Sequence, residues 1–157
     1  MSSFKIRLAN SSDASSISNL YSEVWSEYAD RFPDELLRSR TPSPGETLLW
    51  LETDTYFVAV TEDELVGVVG CISKHGTLYL THMVVKVGHR RQGIGQALVE
   101  TVIETARKRK AKKVWLNTVP FLTEAISLYK KNGFKRCAYM RKHLWGLDVE
   151  LYELILE

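Results

Sequence analysis

Six residues, Arg90-Arg91-Gln92-Gly93-Ile94-Gly95, stand where one hydrophobic period gives way to another. Ahead of them residues 77–87 read as a valine-rich strand. Behind them Ile94, Leu98, Val102 and Ala106 fall on one helical stripe, with Val99 and Ile103 beside it. A strand that feeds an amphipathic helix through so short a turn points to the α/β class. Gly93 and Gly95 carry no Cβ, so the backbone there can pass close to a bulky anion. The helix that follows turns its unpaired N–H groups and the positive end of its dipole toward the same point. Arg90 and Arg91 add charge. The segment reads as a cradle for a pyrophosphate.

The rest of the chain supports one mixed α/β domain over residues 1–157, enough for a real core. Residues 4–8 alternate as a short strand. Asn10, Ser11, Ser12 and Asp13 offer caps for a helix carrying Ile17, Leu20, Tyr21, Val24, Trp25 and Tyr28. Three prolines, Pro33, Pro42 and Pro44, mark residues 31–45 as loop with a single helical turn near 35–38, and 47–52 as a short helix. Residues 56–60 and 65–73 form a hairpin. After the glycine helix come a strand at 113–119, a helix capped by Thr123 and closed by Asn132-Gly133, and strands at 134–140 and 148–156. No apolar run reaches the roughly 20 residues of a membrane helix. The N-terminus lacks a secretory signal, and Cys71 and Cys137 have no metal-like spacing. A cytoplasmic protein with unbridged, semi-buried cysteines and no bound metal is expected.

Net charge is +2, but residues 1–85 carry −6, residues 86–143 carry +12 and residues 144–157 carry −4. The basic stretch favours an anionic ligand and the acidic one a cationic partner. Which pyrophosphate the cradle holds is narrowed by what is missing. Leu98 stands where a dinucleotide fingerprint needs its third glycine, and no G-K-S/T follows for a Walker loop.

Arg90-x-x-Gly93-x-Gly95 resembles the Q/R-x-x-G-x-G/A signature of the Gcn5-related N-acetyltransferases, and Val85-Lys86-Val87-Gly88-His89 resembles the strand leading into it. Downstream, Asn117 followed by Ala125-Ile126-Ser127-Leu128-Tyr129-Lys130-Lys131-Asn132-Gly133-Phe134 is similar to the family's second motif, A-x-x-L-Y-x-x-x-G-F. The resemblance implies a mixed, mostly antiparallel sheet splayed in the middle and flanked by helices on both faces. It implies acetyl-CoA as cosubstrate, held by Met83, Val84, Val85, Val87, Arg90, Arg91, Gln92, Gly93, Ile94, Gly95, Gln96, Asn117 and Tyr129. Tyr129 is implied as general acid toward the departing thiolate. Leu122 departs from the pattern, because many members carry an asparagine there.

An acceptor amine must lose a proton before it attacks, and His82, on the strand before the cradle, is the candidate base. The acidic first half, with Trp25, Glu27 and Tyr28, suits a small cationic amine as acceptor. Direct transfer in a ternary complex is the expected mechanism. A protein lysine or N-terminus is the alternative acceptor. A module that only senses acetyl-CoA, or one that binds nucleic acid through Arg107-Lys108-Arg109-Lys110 and Lys112-Lys113, is a more distant alternative. No membrane partner is expected, and a second copy of the chain is kept open as one.

Overall fold

The computed structural model describes residues 3–156. In chain order the elements are β1 (Lys5–Leu8), a 3-10 turn (Ser11–Asp13), α1 (Ala14–Ser26), α2 (Asp34–Arg40), α3 (Pro44–Thr53), β2 (Thr55–Val60), β3 (Leu65–Lys74), β4 (Thr77–Val85), α4 (Ile94–Lys108), β5 (Lys113–Thr118), α5 (Thr123–Lys131), β6 (Lys135–Leu144) and β7 (Leu147–Ile155). The strands form a seven-stranded sheet in the order β1-β2-β3-β4-β5-β7-β6, the mixed and mostly antiparallel arrangement expected. The described residues pack as two compact units, one of residues 3–70 with 82–98, the other of 71–81 with 99–156.

In the first unit β1 runs antiparallel to β2, from Lys5↔Val60 to Leu8↔Phe57. The helical repeat of α1 puts Ile17, Leu20, Tyr21 and Val24 into a core shared with Tyr56, Val58, Val68 and Val84. Asp13 ties the start of α1 to β1. Its buried carboxylate takes both Arg7 guanidinium nitrogens at 2.8 Å and the Asn10 N–H at 2.9 Å. The proline-rich stretch holds more helix than its composition predicts. Pro44 occupies the first turn of α3, where a missing N–H costs nothing, and Ser43 with Glu46 closes a capping box ahead of it. α2 likewise follows directly on Pro33.

In the second unit β4 runs parallel to β5 through Leu78↔Val114 and Tyr79↔Trp115, at the beginnings of both strands. β5 is antiparallel to β7 from Lys113↔Ile155 to Thr118↔Glu150. β6 lies outside β7 at the sheet edge, its register shifted between Arg136 and Ala138 and again between Met140 and Leu144. β6 runs on to Leu144, past the expected end at 140, because the reversal is made by Trp145 and Gly146, both in left-handed backbone. Thr123 is the first residue of α5 rather than its cap. Leu122 holds the cap position, and no side chain bonds there. Cys71 is buried and Cys137 exposed, both as free thiols. Among the described residues no helix is long and apolar enough to cross a membrane.

Candidate functional site

The cradle is built where β4 ends at Val85, so Val87 belongs to the turn rather than the strand. Gly88 (φ +90°) and Gly93 (φ +86°) adopt backbone conformations that L side chains avoid, and a Cβ at either would meet nothing within 4 Å. Those glycines are required by the turn's conformation, and the space beside them is open. Gly93 then starts α4, its carbonyl accepting the Ala97 N–H at 3.0 Å. A left-handed turn opening onto a helix N-terminus, with clear space at its glycines, fits a pyrophosphate. Gln92, Ile94, Gly95 and Gln96 lie in this turn and the helix's first turn, and Arg91 (φ +63°) is exposed beside them. Met83 and Val85 are half-buried on β4, while the Val84 side chain is committed to the core.

Of the two arginines expected to charge this cradle, Arg90 is largely occupied. Arg90 donates through Nη2 to Glu27 at 2.8 Å and through Nε to the Val85 carbonyl at 3.3 Å. Lys86 bridges Glu23 (3.1 Å) and Glu64 (3.3 Å), and these acids raise its pKa, Glu23 foremost. Glu27, expected to meet the acceptor, is thus paired with Arg90 beside the turn. Trp25 packs on Tyr28 and Phe32, with ring centroids 5.4 and 5.9 Å away, and Arg31 lies 6.0 Å over the Tyr28 ring. The Trp25 indole N–H is buried with no hydrogen-bond partner, as is His89 Nδ1.

His82 sits in an aromatic box. Its ring stacks on Trp50 with centroids 4.3 Å apart and planes 8° from parallel, and Nδ1 lies 3.0 Å from the Tyr56 hydroxyl. The Tyr21 hydroxyl donates to its backbone carbonyl at 2.7 Å. The backbone is left-handed at φ +52° in mid-strand, a conformation uncommon outside glycine. Burial, aided by the positive charge of Arg40, lowers its pKa to about 4. His82 is thus neutral at pH 7, but this environment opposes the proton-accepting role expected of it. With a pKa of about 4, its conjugate acid forms at neutral pH only against about 4 kcal/mol.

In the second unit Tyr129 is buried on α5, 5.9 Å from Phe134. Burial, and secondarily the Tyr79 phenol, raises its pKa far above that of a free phenol. Asn117 on β5 donates from Nδ2 to the Tyr79 hydroxyl at 3.0 Å. Tyr79 in turn stacks on Trp115 at 4.3 Å, and the Trp115 indole N–H donates to Thr77 at 2.9 Å. Tyr79 thus interacts with both residues that the second motif singles out.

Sequence reasoning missed the residues that hold these positions. Tyr21 read as one residue of a helical stripe, Tyr56 as the start of a strand and Trp50 as part of a short helix, with nothing to bring the three together. Gly67 and Gly70 were passed over as strand residues. A Cβ on Gly67 would come within 3.0 Å of Ile94 Cγ2 and 3.2 Å of Leu98 Cδ1, so this glycine sets how closely the first turn of α4 rests on β3. A Cβ on Gly70 would come within 2.5 Å of the Tyr56 ring. Two glycines in a buried valine run are the available signal, since glycine there marks a close approach.

The family described as Acetyltransferase (GNAT) family matches residues 17–134. The chain is 31% identical over 141 residues to N-acetyltransferase 8B of Homo sapiens, a match covering 85% of this chain and 60% of that protein's length. In fold it is similar to the ribosomal-protein-alanine N-acetyltransferase of Brucella melitensis (TM-score 0.82, 23% identity, 97% of this chain and 99% of that one). It is similarly close to the PaiA N-acetyltransferase of Thermoplasma acidophilum, solved in complex with coenzyme A (TM-score 0.82, 18% identity, 98% and 99% covered). With the glycine turn, the tyrosine-bearing helix and the sheet order in agreement, the chain belongs to the GNAT acetyltransferase family.

Proposed function

We propose that the chain is an acetyl-CoA-dependent N-acetyltransferase whose acceptor is the primary amine of a small cationic molecule, with transfer direct in a ternary complex. The observation that carries the reading is the left-handed glycine turn at the head of α4, in a chain of this family. When bound, acetyl-CoA supplies an electrophilic acetyl carbonyl and a sulfur that can leave. The turn from Arg91 to Gln96 holds the pyrophosphate through backbone N–H groups, which need no side chain beyond the glycines. Met83, Val84 and Val85 present strand backbone to the pantetheine arm, and Val84–Val85 N–H groups polarise the carbonyl.

Tyr129 holds a proton at its hydroxyl across the neutral range, because burial disfavours the phenolate. The same desolvation raises the pKa of a thiolate, so proton transfer between the two remains matched in a dry site. His82, neutral and fixed by Tyr56, accepts a hydrogen bond from the incoming amine, and the proton that the amine loses passes to water rather than staying on the imidazole. The acceptor is met on the side of Trp25, Glu27 and Tyr28, where Arg90 already neutralises part of the Glu27 charge.

The test is thiol release from acetyl-CoA against a panel of a polyamine, an amino sugar, a lysine peptide and a free peptide N-terminus. The small amines should turn over, and Tyr129→Phe should lower kcat about 100-fold with acetyl-CoA affinity unchanged. Preference for a peptide would transfer the reading to protein acetylation. Tight acetyl-CoA binding with no turnover on any amine would make the chain a sensor, and an unchanged kcat in the variant would remove Tyr129 from the chemistry.

A further inference from the structure

The second unit carries a groove that the acetyl-transfer reading does not use. It has a volume of about 560 Å³ and lies along α5 against the β6–β7 edge. Thr123, Ser127 and Lys130, spaced at helical intervals, line it from α5, and Arg136 lines it from β6. Ile126, buried at 8% exposure, supplies an apolar part of the wall.

The charges in this groove do not cancel. Its acid, Glu150, is buried and already satisfied, with Oε2 accepting Arg136 Nη1 at 2.8 Å and Oε1 accepting the Tyr152 hydroxyl at 3.3 Å. Arg136 uses one nitrogen in that contact, and a guanidinium has five N–H donors. Lys130 makes no ion pair among the described residues. The register shift that follows Arg136 inserts Cys137 as an extra residue, the kind of bulge that re-aims a neighbouring side chain. At the Thr123 end, α5 begins without a side-chain cap, and the carboxylate of Glu124 in its first turn offsets the positive end of its dipole. Lys130, Arg136 and the hydroxyls of Thr123 and Ser127 therefore share one groove with an apolar wall, and its one carboxylate is engaged.

We propose that this groove is a binding site for a small organic anion, a carboxylate or phosphate head on a short apolar body. The head lies between Lys130 and the remaining N–H groups of Arg136, within reach of Ser127, and the body packs on Ile126. Because the ligand rests on the helix that carries Tyr129, its occupancy bears on that residue without touching it.

The experiment is an amide-shift titration of the free protein at constant ionic strength, with inorganic phosphate in one arm and butyrate in the other. Saturable shifts at Ser127, Lys130 and Arg136 are expected, and the tighter probe identifies the head group. Lys130→Glu, at an exposed position, should weaken that probe at least tenfold. Arg136→Lys keeps the partner of Glu150 and should weaken it severalfold with the fold intact. The proposal is overturned if neither probe saturates, or if both variants bind like the original chain. It is equally overturned if coenzyme A displaces the probe while 3′-dephospho-coenzyme A does not, because the groove would then belong to the cosubstrate's 3′-phosphate.

Discussion

His82→Asn tests the aromatic box through its dependence on pH. Asparagine tolerates the left-handed backbone at this position better than other non-glycine residues, so the strand should keep its path. The folded protein holds His82 at a pKa of about 4, against 6.5 for a free imidazole, through burial and the charge of Arg40. Between those values the unfolded chain binds a proton that the folded chain refuses, so the contribution of His82 falls as pH falls. It is complete above pH 6.5 and lost progressively down to about 4. At 1.36 kcal/mol per pH unit the full loss is about 3 kcal/mol. The groups around the ring, Tyr21 on α1, Trp50 on α3 and Tyr56 on β2, stay uncharged over this window, and Arg40 on α2 stays charged. At pH 7 the variant should be less stable by about 1–2 kcal/mol, for the lost Tyr56 bond and stacking. Urea unfolding from pH 7 to pH 4 should bring the two stability curves together and then cross them, the variant becoming the more stable. Parallel curves would refute the reasoning, as would a His82 imidazole titrating near 6.5 by NMR.

Two further outcomes follow from the cradle. Gly67→Ala places a methyl within 3.0 Å of Ile94 and 3.2 Å of Leu98, both fully buried. It should cost about 1–3 kcal/mol in urea unfolding and weaken coenzyme A binding in calorimetry, because Ile94 opens α4; a neutral variant with full affinity would show that the close approach does not set the cradle. Glu27→Gln should change stability by less than about 1 kcal/mol, since the Arg90 pair is a third exposed on both sides. By releasing the Arg90 charge it should tighten coenzyme A severalfold at low salt, with the gain lost by about 0.5 M; weaker binding would mean that Glu27 braces the turn more than it neutralises it.

The strands and the long helices were legible because each keeps one period over many residues, as Ile17, Leu20, Tyr21 and Val24 do in α1. The cradle was legible for a different reason. Its chemistry belongs to backbone conformation, and glycine is the residue type that announces such conformations directly. The stretch around Pro42 and Pro44 misread because proline breaks a helix interior yet suits a first turn. Only Ser43 and Glu46, spaced as a capping box, distinguish the two. The surroundings of His82 were not legible at all. Trp50, Tyr56 and Tyr21 come from three elements, and nothing local in sequence says that they converge on one imidazole. The low pKa follows from that convergence, which is why residue type alone suggested a base.

Charge shows the same difference between chain and space. Along the sequence the acids crowd the first half and the bases the second, which invites a reading of two surfaces for two partners. In the structure the segregation is partly undone by long-range pairs, Glu23 and Glu64 on Lys86 and Glu27 on Arg90 in one unit, Glu153 on Lys113 and Glu150 on Arg136 in the other. Most of these are partly exposed, each worth less than about 1 kcal/mol, so they are poor candidates for holding the fold together. Their better use is positional. They fix the approach to the cradle at Lys86 and Arg90, the β5–β7 pairing at Lys113 and the edge strand β6 at Arg136. An anion bound as proposed would meet a turn in which Arg90 is already paired and Arg91 is exposed, so that backbone N–H groups and the head of α4 carry more of its binding than the motif's two arginines suggest. That makes the glycine positions, rather than the arginines beside them, the part of the motif least able to change.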